Sequence, residues 1–323
     1  MLFTHHAKLV HSLDGNLKND GCWMSEKIVA LKVDVDTYAG TRDGVTALLT
    51  DMDRFGAKAT FYFSMGPDNS GKAIRRIFTR PGFLKKMLRT RAPAAYGLKT
   101  MLYGTLLPAP MIAESFPDVL REAELQGHEV GIHSWDHVKW HDYLPWFPKH
   151  LTAMELGRAS ALFEEIFGHR ATTTASPGWT VSPDSLEVQD AMGLTYCSDS
   201  RGTHPFYPVM DGRRFRTLQI PTTLPTADEL LGENGITSEN IHDYYCDNLN
   251  DGLNVLTIHA ELEGGAIRGS FIRLLERLES SGVRCTTLEE AVRQVNEAPA
   301  CRLFMGDISG RAGNVAIQGE EVS

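Results

Sequence analysis

The chain has 323 residues, 42% of them hydrophobic, enough for one large α/β domain or two smaller ones with a sizeable buried core. Its net charge of -9 argues against a nucleic-acid binder, and its five scattered cysteines, odd in number and without CxxC spacing, argue against a disulfide framework. Met1 to Asp20 lacks the apolar core of a secretory signal and no apolar run is long enough to span a bilayer, so a cytoplasmic location is expected.

Residues 1–23 show no periodicity and read as an N-terminal extension to a domain covering 24–298. Ile28 to Val33 is β-branched and apolar, a buried strand running straight into Asp34-Val35-Asp36-Thr37. Asp43 to Gly56 has helical spacing, with Val45, Leu48, Leu49, Met52 and Phe55 on one stripe, and Ala59 to Ser64 is the next strand. After an interruption the alternation resumes, with a helix at Pro117 to Gln126 closed by Gly127 and a strand at His128 to His133. A helix over Leu151 to Phe167 leads to a strand at Ala171 to Ala175, a helix opened by Ser182-Pro183, and a strand at Leu194 to Ser198. Further on are a strand near Phe215 to Ile220, a helix near Glu239 to Leu249 and a strand at Leu253 to His259. A helix from Ser270 to Ser281, a strand at Val283 to Thr286 and a helix from Leu288 to Val295 complete the series. Residues 299–323 are polar and Gly-rich and read as a loose C-terminal tail. Seven or eight strands alternating with helices predict a single distorted parallel (β/α) barrel.

In such barrels the working groups sit at the C-terminal ends of the strands, where the loops converge. Here those ends carry Asp34 and Asp36, His133 and His137, Ser176-Pro177-Gly178-Trp179, Asp199 and His259. His133 and His137 stand four apart, which on a helical turn puts two neutral nitrogen donors on one face, a pair suited to zinc and similar ions. Each residue taken singly has a plain structural explanation, an aspartate as a helix cap or a histidine as a core residue. Five on one face are much harder to explain that way.

The segments Asp34-Val35-Asp36, His133-Ser134-Trp135-Asp136-His137, Pro177-Gly178-Trp179, Ser198-Asp199 and Leu256-Thr257-Ile258-His259 resemble the five ordered motifs of the polysaccharide deacetylase family, also called carbohydrate esterase family 4. Longer stretches, Val33–Thr37, Phe63–Asn69, Ile220–Thr226 and Thr257–Gly264, resemble a bacterial branch that deformylates a formamido-arabinose carried on undecaprenyl phosphate, in the aminoarabinose pathway of lipid A modification. The likeness covers roughly residues 24–298. It implies a barrel fold and one divalent metal ion on Asp36, His133 and His137, zinc foremost, with cobalt, manganese or nickel compatible with the same ligands. It also implies Asp34 as general base, His259 as general acid and Asp199 as the group that orients His259. Trp179, Arg201 and Glu261 are the expected substrate-binding residues, and the expected partner is a lipid-linked sugar at the inner-membrane surface. Two other readings are a deacetylase of another carbohydrate, which export would favour, and a non-catalytic metal or carbohydrate binder. The second would need neither Asp34 nor His259.

Two features depart from the general family pattern or add to it. The arginine that usually opens the third motif and pairs with the base is replaced by Ala175, which leaves Arg201 as a candidate for holding Asp34 or for a substrate phosphate. The insertion at 69–113 contains no acidic residue, and its basic side chains, among them Arg75, Arg76, Lys85, Lys86 and Arg89, alternate with apolar ones. Basic and apolar residues at helical spacing suit a helix lying on an anionic membrane face, close to a lipid phosphate.

Overall fold

The computed structural model describes residues 27–76, 97 and 99–322. Its framework is a parallel sheet centred on β1 (Lys27–Val35), buried along almost its whole length on both faces, which is why it reads as an unbroken apolar run. β2 (Thr60–Ser64), β3 (Glu129–Ser134), β4 (Thr173–Thr174) and β5 (Tyr196–Cys197) follow it in order. A second sheet uses β6 (Tyr207–Met210) and β7 (Arg213–Arg214), and the barrel resumes with β8 (Leu218–Gln219), β9 (Gly252–His259) and β10 (Arg284–Thr286). One edge of β1 pairs with β9 from Lys27 to Asp34, while the other serves β10 at Ile28–Ala30 and β2 at Lys32–Val35. At the opposite side the closure is irregular. The amides of Thr223 and Leu224, just after β8, both donate to the Val255 carbonyl of β9 at 3.1 and 3.2 Å. The result is the expected distorted parallel (β/α) barrel, of eight strands.

The helices cover the outside with the faces that their apolar spacing selects. Leu48, Leu49 and Met52 of Thr46–Arg54, Leu156, Ala159, Phe163 and Ile166 of Lys149–Phe167, and Phe271, Leu274, Leu275 and Leu278 of Arg268–Ser280 are buried. Each large apolar side chain so buried contributes about 1.5–3 kcal/mol. The Asp43–Gly56 helix expected from spacing begins instead as a π-helical turn, Gly40–Val45, packed on a second such turn, Leu262–Ala266. That contact requires glycine on both sides, since a Cβ at Gly44 would lie 2.2 Å from the Ala260 carbonyl oxygen and one at Gly264 would lie 2.5 Å from that of Gly44.

The expected loose tail is not loose. β11 (Ala300–Gly306) and β12 (Val315–Glu321) form a hairpin whose first strand runs parallel to β6. Cys301 and Leu303 point into a core with Phe206 and Phe215, while Arg302 and Phe304 face outward. Polar and glycine content masked this period-two alternation. Among the described residues, no helix is long and apolar enough to cross a membrane. Residues 1–26, with the expected extension, and residues 77–96 and 98 of the insertion fall outside the described residues.

Candidate active site

The C-terminal ends of β1, β3 and β9 open into one cavity, whose lining includes Asp34, Asp36, His133, His137, Trp179 and His259. His133 and His137 meet by a route other than two positions on one helix face. His133 is the penultimate residue of β3, at a point where the ladder to β2 jumps from Ile132 to Ser134 and leaves it out of register, a bulge that re-aims its ring. His137 is the first residue of the helix His137–Tyr143, which Asp136 caps by accepting a hydrogen bond from the Lys139 amide at 3.0 Å. Asn69 in turn donates to Asp136 at 2.7 Å.

Asp36 follows the last residue of β1 and faces both imidazoles, with Oδ1 3.2 Å from His133 Nε2 and Oδ2 3.5 Å from His137 Nε2. One ligand atom from each of the three residues lies within 4.8 Å of the others. The donor set fits a divalent cation on three counts. Asp36 Oδ1 is buried with no aligned hydrogen-bond donor. His133 Nδ1 lies 2.7 Å from the Ala175 carbonyl, which fixes the tautomer with Nε2 free to coordinate. The protonation states also suit it. Burial drives His137 down to about 4, with Asp36 opposing and His133 and Arg76 adding to the shift. Burial alone would raise Asp36, but His137 and His133 hold its carboxyl well below the usual range. A neutral imidazole and an ionised carboxylate are the metal-binding forms.

Asp34 and His259 are register partners across β1 and β9, which places a carboxylate and an imidazole side by side at the cavity floor. Burial works against protonation of His259, yet Asp36, Asp228, Asp34 and Glu263 together raise its pKa. The cation beside Asp34 is Lys32, two residues earlier on the same strand and therefore on the same face. Its Nζ lies 3.2 Å from Asp34 Oδ2, and its side chain, wholly shielded from solvent, sits over the rings of Trp179 and Tyr62. Sequence reasoning missed this residue. The available signal was a lysine inside an otherwise apolar strand, a position almost always filled by a charge only when that charge is paired.

Three expected site residues hold the cavity from outside. Asp199 does not touch His259; it is completely buried and accepts from the Ser176 amide at 2.7 Å and from Gln189 and Gln219 at 2.9 and 3.2 Å. It fixes the loop after β4. His259 Nδ1, for its part, is buried without a hydrogen-bond partner. Arg201 holds neither Asp34 nor an open position for a phosphate, because its guanidinium bonds Glu229 at 2.7 and 2.8 Å and the Leu224 carbonyl at 3.0 Å. Glu261 is a backbone clamp. Its Oε1 accepts from the Asp36 amide, the Thr37 amide and the Thr37 hydroxyl at 3.1, 2.8 and 2.7 Å.

Trp179 does line the cavity, in an unusual left-handed conformation with φ of 50°. Its indole donates to Thr222 at 3.2 Å, and Arg201 and Arg311 lie 5.0 and 4.4 Å from its ring. Arg311, from the β11–β12 connection, also lines the cavity and was hidden by reading its segment as a tail. Of the basic patch, Arg75 is exposed, whereas Arg76 is buried against the cavity, bonding Asp142 through Nε at 2.8 Å. Lys85, Lys86 and Arg89 lie outside the described residues.

The polysaccharide deacetylase family model matches residues 23–197. A protein of Shewanella sediminis (strain HAW-EB3), named probable 4-deoxy-4-formamido-L-arabinose-phosphoundecaprenol deformylase ArnD, is 35% identical over 297 residues, spanning 91% of this chain and 96% of its own length. A protein of the same name from Wigglesworthia glossinidia brevipalpis is 30% identical over 283 residues, 86% of this chain and 98% of its own. Among solved structures, a probable polysaccharide deacetylase from Pseudomonas aeruginosa PAO1 superposes with a TM-score of 0.59 at 16% identity, over 84% of this chain and 91% of that one. This last likeness is one of fold.

Proposed function

This chain belongs to the polysaccharide deacetylase family, and from that premise we propose that it is a metal-dependent hydrolase of the formamide on 4-deoxy-4-formamido-L-arabinosyl undecaprenyl phosphate. Its products are formate and the 4-amino-4-deoxy-L-arabinosyl lipid used to modify lipid A. The observation that supports this reading best is the convergence of Asp34, His259 and the Asp36-His133-His137 set on one cavity. A binding protein needs the last three at most.

Asp36, His133 and His137 hold the metal, zinc by preference. Bound there, a divalent ion supplies polarisation of the formyl carbonyl and a more acidic water. Asp34 takes the proton of the attacking water as its oxygen bonds to the formyl carbon. Lys32, whose Nζ lies 3.2 Å from Asp34 Oδ2, holds that carboxylate in place. His259 then delivers a proton to the amide nitrogen as the carbon–nitrogen bond breaks, because an amide anion is too poor a leaving group to depart unassisted. Although burial opposes it, the carboxylates around His259 raise its pKa, which favours the protonated form for that task. The enzyme meets its lipid-linked substrate at the cytoplasmic face of the inner membrane, as a peripheral protein.

Formate release tests the reading. Purified enzyme with zinc should liberate one formate per amine from the formamido-arabinosyl lipid, a chelator should abolish the release, and re-addition of metal should restore it. If no formate is released from that lipid while an N-acetylated glycan is hydrolysed, the substrate assignment fails.

A further inference from the structure

Arg76 is nine-tenths buried and lines the active-site cavity. Its guanidinium, permanently charged and carrying five N–H donors, is only partly used. Nε donates to Asp142 at 2.8 Å, while Nη2 is shielded from bulk water and has no hydrogen-bond partner. An unsatisfied donor on a buried charge is costly to leave unpaired, and a fork-shaped cation recognises the oxygens of a phosphate in preference to a neutral group. Arg311, on the same cavity, already has Glu229 at 3.4 Å and the Trp179 ring. The wall next to Arg76 is apolar. Ala73 lies three residues before it in a 3₁₀ turn, Ser70–Arg75, a spacing that stacks side chains on one side. Ile74 and Met101 line the cavity too, and Ile74 is 47% exposed.

We propose that the unpartnered face of Arg76 is a phosphate subsite, and that Ala73, Ile74 and Met101 beside it take the first apolar units of the alcohol esterified to that phosphate. The ligand class is a phosphate ester of a long-chain alcohol, and the assignment rests on the function proposed above. It makes Arg76 a substrate-reading residue and explains how one cavity can treat a phosphodiester-linked sugar differently from a free one.

The test compares two formamido-arabinosides, one joined to farnesol through a phosphodiester and one a methyl glycoside, with wild type, Arg76→Gln and Asp142→Asn. Wild type should prefer the phosphodiester in kcat/KM, and Arg76→Gln should shrink that preference by about 10- to 150-fold, the range for a hydrogen bond to a charged group. Asp142→Asn, which releases Nε but keeps the guanidinium, should retain the preference and so separate loss of the ion pair from loss of phosphate reading. An unchanged preference in Arg76→Gln, or an equal fall on both substrates, overturns the subsite. If wild type deformylates neither compound, the function fails, and the subsite is judged by binding of farnesyl phosphate alone. At least tenfold weaker binding by Arg76→Gln supports it, and equal binding overturns it. Inorganic phosphate competing as well as farnesyl phosphate would overturn the lipid part of the assignment.

Discussion

Lys32 Nζ lies 3.2 Å from Asp34 Oδ2, and the lysine side chain is 0% exposed. Two charges taken out of water on one strand are stable only as a pair, so removing one should cost more than the pair itself is worth. Lys32→Met is therefore expected to destabilise the fold by about 3–5 kcal/mol and to lower formate release at least tenfold. The double variant Lys32→Met, Asp34→Asn should recover most of the stability and none of the activity. Denaturant midpoints and initial rates on the four proteins of this cycle check both. A Lys32→Met protein as stable as wild type would mean that the lysine does not hold Asp34.

Glu261 holds the backbone that carries Asp36, through three hydrogen bonds to one oxygen. Burial, reinforced by the nearby Asp36 charge, pushes its pKa to about 8. A neutral amide should then replace it well, and Glu261→Gln is expected to keep near-normal metal affinity. Glu261→Ala strands the Asp36 and Thr37 amides and loosens Asp36, which should weaken metal binding about 10- to 100-fold, the usual effect of losing a supporting group behind a ligand. Competition with a chelating dye measures both affinities.

The residues whose position depends on a strand end were legible in the sequence, and those whose contacts depend on a partner far away were not. Asp34, Asp36, His133 and His259 follow apolar runs, so barrel topology alone brings them together. Asp199 also ends a strand, yet its side chain is claimed by Gln189 and Gln219, a choice that no spacing announces. Arg201 and Glu229 stand 28 residues apart and meet only in the tertiary structure. The family pattern points to an arginine position at the end of β4, whereas the cation paired with Asp34 here is Lys32, from β1 itself. The expected Asp43–Gly56 helix begins as a π-helical turn packed on a second one far along the chain, a close backbone approach that Gly44 and Gly264 permit and that local spacing does not announce.

His128 offers a pH probe away from the metal. It is 4% exposed, its Nδ1 accepts from the Ala59 amide at 3.2 Å, and burial, with Lys58 adding, lowers its pKa to about 4. Between about 6.5, the ordinary histidine value, and 4, the unfolded chain binds the proton more readily than the folded one. This contribution is therefore fully present above pH 6.5 and is lost as pH falls toward 4, by about 3 kcal/mol at most. His128→Asn keeps an acceptor near the Ala59 amide and removes the titration. Its stability should decline less than that of wild type over this interval, as followed by urea unfolding at pH 7, 5.5 and 4.5. Parallel curves would show that His128 is not the group that titrates.

The β11–β12 hairpin couples the end of the chain to the cavity. Its Leu303 and Ala316 pack with Phe206 and Phe215, so a chain ending at residue 298 would expose two buried phenylalanines and is expected to aggregate or melt several degrees lower. That loss alone would not separate folding from function. Arg311→Ala does, because it leaves both strands intact and removes only the guanidinium 4.4 Å from the Trp179 ring, together with its 3.4 Å contact to Glu229. Arg201 still neutralises Glu229 at 2.7 Å, so the melting temperature should move little. A cation–π contact of about 0.5–2 kcal/mol corresponds to a fall in kcat/KM of roughly 2- to 30-fold. The fall should come mainly in KM if Trp179 and Arg311 shape the sugar's berth, and in kcat if they instead set the position of Lys32 and Asp34 behind it. Equal kcat and KM in Arg311→Ala and wild type would remove the hairpin from the active site and leave it a purely structural role.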